Sequence, residues 1–127
     1  MAKANRALAS AQILLRSDDV DGACNRAYYA MFDAARAALL HIQAPVPAEV
    51  IRTHSGLITA FSLHLVKSEL VAIAHGRALN KVEDLRLIAD YKGDPVSIQN
   101  AEWALEQSTN FVAAIQVLIS EWHASPV

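Results

Sequence analysis

The sequence predicts an all-α domain, an up-and-down bundle of four to five helices over residues 1–127. Three observations lead there. Apolar residues recur at spacings of three and four in five successive segments. Gly and Pro number four each in 127 residues, which favours long helices over a many-turned β fold. Hydrophobic residues make up 54% of the chain, many of them Ala and Leu, so one domain of this length can bury a core unaided.

The first segment spans about Ala2 to Arg16, with Ala4, Ala7, Leu8, Ala11, Leu14 and Leu15 at helical spacing. Ser17-Asp18-Asp19 then supplies capping chemistry for a second helix, from about Val20 to Gln43. Its inward stripe is Val20, Ala23, Ala27, Met31, Ala34, Ala38 and Ile42, widened by Phe32 and Leu39. Arg26, Tyr29, Asp33 and Arg36 lie opposite, within roughly 80° of one another at the helical rotation per residue. Pro45-Val46-Pro47 is expected to end this helix.

A third segment, about Thr53 to Lys67, carries His54, Leu57, Phe61 and Leu65 on one face, with Thr53 or Ser55 as its cap. A fourth, about Val71 to Tyr91, turns Val71, Ala74, Ala78, Val82, Leu85 and Ala89 inward, with Gly76 and Asn80 weakening its start. Lys92-Gly93-Asp94-Pro95 is a strong stop that also opens the next helix. The fifth, about Val96 to His123, keeps its period through Ala101, Leu105, Ser108, Val112, Ile115, Ile119 and Trp122, and Val112, Ile115 and Trp122 are expected to leave apolar surface for a second subunit once one bundle is closed. Short connections favour antiparallel neighbours. Breaks are expected near Ser17, Pro45 to Pro47, Ser68 and Gly93.

Charge and cysteine content narrow the function classes. The formal charge of −2 gives no global basic field for non-specific nucleic-acid binding, so any RNA contact is a local patch or depends on a partner. Cys24 stands alone, which points to a reducing compartment. Met1 through Arg6 leads into an amphipathic stretch with no apolar leader core, and no span approaches about 18 apolar residues, so a cytoplasmic protein without a membrane segment is expected. There is no Gly-rich phosphate loop, Cys pair, HExxH or nucleophile elbow. Neither His64 nor Asp33 has an obvious co-ligand, so no metal or cofactor is expected.

Three clusters stand out. In Asn25-Arg26-Ala27-Tyr28-Tyr29-Ala30-Met31-Phe32, either Tyr28 and Phe32 form the core edge while Arg26 pairs with a carboxylate, or a guanidinium and a phenol face a nucleotide or partner. In Arg52-Thr53-His54-Ser55-Gly56, either His54 is tucked under a capped helix start, or the first-turn N–H groups and His54 bind an anion. In Arg86-Leu87-Ile88-Ala89-Asp90-Tyr91, Arg86 and Asp90 sit one turn apart, as a surface pair or at a helix end facing RNA or a second subunit.

Taken in order with Leu57, Phe61 and the C-terminal Ala/Phe-rich helix, these clusters resemble the HEPN family (higher eukaryotes and prokaryotes nucleotide-binding) over nearly the whole chain. Within it they resemble the small stand-alone prokaryotic branch often encoded beside a minimal nucleotidyltransferase. The resemblance implies a helical bundle, commonly dimeric. Many members are metal-independent endoribonuclease toxins whose signature is an Arg, four to six residues, then a His near the end of a late helix. In two-gene modules the nucleotidyltransferase neutralises its HEPN partner, in some cases by adding AMP to a Tyr just after that His.

Arg86 matches the family's Arg, but no His follows at the required spacing; Asp90 occupies that neighbourhood and Tyr91 stands where the modified Tyr would. Asp accepts a proton but does not supply the cationic acid that imidazolium offers near neutral pH. Arg36-Ala37-Ala38-Leu39-Leu40-His41 also spells Arg, four residues, His, but outside the late helix, and is taken as coincidence. The resemblance therefore implies a homodimeric partner of a minimal nucleotidyltransferase in a toxin–antitoxin-type module. It would bind RNA or nucleotide through Arg26, Tyr29, His54, Arg86, Asp90 and Tyr91, without a complete ribonuclease motif. Tyr91 is the implied modification site. The alternatives are an endoribonuclease toxin with a variant site, for which Arg86 and Asp90 are the catalytic candidates, and an adaptor bundle that binds protein only.

Overall fold

A computed structural model of the chain describes residues 1–88, 90 and 96–122; Ala89, Tyr91, residues 92–95 and His123 lie outside the described residues. Five α-helices appear among them, and no strand: α1 (Ala2–Arg16), α2 (Val20–His41), α3 (His54–Phe61), α4 (Ile73–Leu87) and α5 (Ile98–Glu121). A 3₁₀ turn at Val50–Arg52 leads into α3, and a π-helical turn at Ser62–Val66 prolongs it. The expected breaks after α1, around Pro45 to Pro47 and near Ser68 are present; the one at Gly93 falls outside the described residues.

Local chemistry sets the ends. The Asp19 carboxylate accepts from the Gly22 N–H, Thr53 Oγ1 from Gly56 and Ser97 Oγ from Asn100, each satisfying an otherwise orphan first-turn donor. Thr53 is thus the cap of α3, and Ser55 is exposed. The second helix stops before its prolines. Gln43 takes φ 56°, its N–H bonds the Leu40 carbonyl and the Ala44 N–H reaches back to Leu39, a left-handed closure that leaves Pro45 outside the helix. Asp18 closes α1 in the same way, at φ 63° with Asp19 N–H on the Leu14 carbonyl.

The long helices run up-down-up-down. The Asn5–Gln116 side-chain bond places the start of α1 at the end of α5. The Val96 N–H donates to Asp21 Oδ1 at 2.8 Å, and the buried Ser108 hydroxyl donates to the Ala27 carbonyl at 2.8 Å, so α5 runs parallel to α2. Small residues let this pair approach closely: Ala23, Ala27, Ala30 and Ala34 on α2, Ala101, Ala104 and Ser108 on α5, all buried. α1 packs on one side of the pair through Ala4, Ala7 and Ala11, with α3 and α4 on the other. Phe61 of α3 stacks on Phe111 of α5 at 5.2 Å between ring centres, both fully buried.

Three burial expectations need correction. α4 buries Ala78, Leu79, Val82 and Arg86, while Ala74 is exposed. Its inward face is rotated from the predicted stripe because Arg86, a charge that periodicity assigns to solvent, points inward. α2 is buried on most of its circumference, since α1, α3, α4 and α5 all pack against it; Arg26, Tyr29, Asp33 and Arg36 are half-buried rather than on an open face. Val112 and Ile115, expected to leave apolar surface for a second subunit, are buried within the bundle, and Phe111, outside the predicted stripe, is buried beside them.

Gly56 fastens the start of α3. A Cβ there would overlap the Val50 carbonyl oxygen and the Thr53 hydroxyl that caps the helix. Gly56→Ala is expected to lower stability by about 1–3 kcal/mol through this overpacking. Urea denaturation checks it, and an unchanged midpoint would show that the 3₁₀ turn yields without cost.

Candidate functional site

Three helices bring the site together, and its foundation is a residue that periodicity places only at the core edge. Tyr28 of α2 has 0% exposure. Its hydroxyl donates to Glu83 Oε2 of α4 at 2.7 Å and lies 2.7 Å from His54 Nδ1 of α3. A buried hydroxyl without partners costs on the order of 1–3 kcal/mol, so this pair of bonds ties α3 and α4 to the middle of α2. Burial, the hydrogen bond to Glu83 and that carboxylate's charge all push the phenol above its ordinary value, and Tyr28 stays protonated.

Around Tyr28 lies an aromatic cluster. Tyr29 meets it edge-on with centroids 5.3 Å apart, Phe32 lies 6.2 Å away, and the His54 ring sits 5.3 Å from Phe32 and 6.0 Å from Tyr29. Two guanidiniums cover it. Arg86 places its guanidinium carbon 4.8 Å from the Tyr28 ring centre and 5.8 Å from that of Tyr29; Arg26 lies 5.6 Å from Tyr29. The ring faces partly replace the water that a buried cation loses.

Arg86 is therefore not a surface residue. It is 6% exposed, its Nη1 donates to Asp90 Oδ2 at 2.9 Å, and its Nε is buried without a partner among the described residues. The Arg86–Asp90 pair is the only ion pair among the described residues; Arg26, which has a carboxylate partner in one reading of the sequence, makes none there. Arg26, Tyr29, His54, Arg86 and Asp90 are thus brought to one region between α2, α3 and α4. Tyr91 lies outside the described residues.

The other sequence signals stand apart. Arg36 and His41, five residues apart on α2, point in directions roughly 140° apart by helical geometry; Arg36 is half-buried and His41 exposed. Cys24 is fully buried, and burial with the nearby Asp21 and Asp90 carboxylates pushes its thiol up to about 11. A concavity of about 400 Å³ is an open groove on another flank of α3, lined by Pro45, Val46, Pro47, Val50, Leu63 and His64. It contains neither guanidinium nor the Tyr28 network, so volume does not locate the chemistry. Glu83 is absent from the sequence reading. Its one available signal is that it precedes Arg86 by a single turn and so faces the same way.

Because the Tyr28 phenol is raised above its ordinary value of 10.0, it contributes stability that is full below that pH and lost as pH rises past it, where the unfolded chain's phenol ionises and the folded one does not. Tyr28→Phe is expected to lower stability at pH 8 by about 1–3 kcal/mol and to flatten its decline above pH 10. Urea denaturation across pH 8 to 11 measures both, and an alkaline decline as steep in Tyr28→Phe as in wild type would contradict it.

Several known proteins have similar sequences. The chain is 35% identical over 114 residues to a UPF0332 protein of Gloeobacter violaceus, covering 88% of this chain and 86% of that one. It is 32% identical over 114 residues to a protein of Methanocaldococcus jannaschii named "Putative toxin", covering 90% and 81%. It is 30% identical over 121 residues to a UPF0332 protein of Thermotoga maritima, covering 94% and 87%. The HEPN domain model matches residues 1–118, all five helices but for the last residues of α5, and the chain belongs to the HEPN family.

Proposed function

We propose that this chain is the HEPN component of a toxin–antitoxin-type module, that it acts with a minimal nucleotidyltransferase, and that it engages single-stranded RNA or nucleotide at the face between α2, α3 and α4. The observation that carries this is the placement of Arg26, Arg86 and His54 around the half-buried ring of Tyr29. Single-strand binding uses cationic groups for phosphates and aromatic faces for bases, and the two occur together here on a chain with no net basic charge. The toxin name of the Methanocaldococcus jannaschii relative supports the module, and the resemblance to stand-alone prokaryotic members supports the nucleotidyltransferase partner. The chain's own late helix offers Asp90 where the ribonuclease signature has a His, so binding rather than cutting is the role assigned to this chain.

The residues divide by depth. Arg86, buried and neutralised by Asp90, holds the aromatic cluster in place; Arg26 and Tyr29, half-buried, are the groups a ligand reaches. Two copies are proposed to associate. Exposed apolar residues available for that include Ile13, Leu40, Leu63, Ile73 and Val117, whereas Val112 and Ile115 are buried. No helix among the described residues is long and apolar enough to cross a membrane.

Fluorescence anisotropy with a labelled single-stranded RNA tests the face. Arg26→Ala and Tyr29→Ala are each expected to weaken binding by about 5- to 150-fold, the worth of one cation or one stacked base, with melting temperatures within a few degrees of wild type. Unchanged affinity in both variants, or no binding by the wild type, would overturn the reading. Light scattering at tens of micromolar is expected to report a dimer, and a monomer alone would remove the association.

A further inference from the structure

We propose that His54 is the group on this face that distinguishes RNA from DNA: its Nε2 accepts a hydrogen bond from a ribose 2′-hydroxyl, and Tyr28 is a positioning residue that holds the imidazole in the accepting tautomer. This rests on the RNA-binding reading above and assigns a ligand atom to one residue of that face.

Proton counting around Tyr28 sets the tautomer. The phenol has one proton, and it goes to Glu83 Oε2 at 2.7 Å. The phenol oxygen is then an acceptor toward His54, and the 2.7 Å contact requires the proton on Nδ1. A neutral imidazole protonated at Nδ1 carries its lone pair on Nε2. That atom bonds to no described residue, and it is absent from the buried polar atoms without partners, which among the described residues are Arg36 Nε and Arg86 Nε. Nothing among the described residues occupies Nε2, and His54 is half-buried. The phenol keeps its proton, since burial and Glu83 both oppose its ionisation.

The neighbours of that lone pair select what it meets. The half-buried Tyr29 ring lies 6.0 Å from the imidazole, so a base stacked on it would lie beside His54, while the buried Phe32 backs the imidazole at 5.3 Å. Arg26, 5.6 Å from the centre of the Tyr29 ring, supplies the charge for a phosphate. A neutral lone pair repels phosphate oxygens and matches a donor. Between a base and its phosphate on a single strand stands the sugar, whose 2′-hydroxyl is a donor that DNA lacks.

Three labelled single strands of one sequence test this: ribose, 2′-fluoro and 2′-deoxy. The 2′-fluoro strand keeps the bases and their amino groups but has no 2′-proton to donate. Wild type is expected to bind ribose RNA about 2- to 12-fold more tightly than 2′-fluoro RNA, the range one hydrogen bond supplies. His54→Ala is expected to bind the two strands equally, the ratio of the two affinities rather than either one being the readout. Tyr28→Phe, which releases the tautomer, is expected to narrow the gap, a change that lost stability alone does not produce. Equal binding of ribose and 2′-fluoro RNA by wild type would overturn the proposal and leave the RNA-binding reading standing. A gap that survives His54→Ala would do the same. Failure of all three strands to bind would overturn the RNA-binding reading and this proposal with it.

Discussion

A phenol sealed inside a helical bundle has to be satisfied from within, and Tyr28 meets that demand with two partners on two other helices. Helices packed through Ala and Leu make few directional contacts, so their faces slide and rotate at small cost. The Tyr28 hydroxyl removes that freedom. It sets the height and rotation of α4 through Glu83, and it seats α3 through His54. An eight-residue helix has little stability alone, and α3 depends on this bond, on the Thr53 cap and on the Phe61–Phe111 stack. Once α4 is set, Arg86 comes to lie over the Tyr28 ring, where an exposed position would otherwise have been less costly for a cation.

Helical periodicity was enough to place all five helices, and the capping residues Asp19, Thr53 and Ser97 mark where three of them begin. The long-range chemistry was not legible in that way. Tyr28 meets His54 across 26 residues and Glu83 across 55, and no local spacing encodes either pairing. Pattern reading also sorts residues by polarity, so it placed Arg86 outside and Ala74 inside, the reverse of the structure. The same bias hid how enclosed α2 is, because Arg26, Asp33 and Arg36 on its far side resemble a solvated face. What the sequence did show was a grouping by type: Arg26, Tyr29, His54, Arg86 and Asp90 were singled out separately and are neighbours in space.

The family's ribonuclease signature joins an Arg and a His on one late helix. In this chain Arg86 pairs with Asp90 one turn away. His54, at the start of α3, lies against the same tyrosine ring as Arg86. The consequence is a division of labour. Arg86 is immobilised beneath the aromatic cluster, while His54 and Arg26 remain at its rim with groups to offer a ligand. In the proposed reading, the site meets a strand with its charge and its acceptor fixed before the ligand arrives.

The protonation of the His54 ring is the most direct measure of whether Tyr28 organises this face. Long-range ¹H–¹⁵N correlation NMR of the imidazole, recorded at alkaline pH, reports each nitrogen separately. Tyr28 bonded to both Glu83 and His54 predicts a protonated Nδ1 and a bare Nε2 in the wild type, with the two forms mixing in Tyr28→Phe. A wild-type ring protonated at Nε2 and bare at Nδ1 would show that the phenol gives its proton to His54 rather than to Glu83, and would contradict the network on which the site is built.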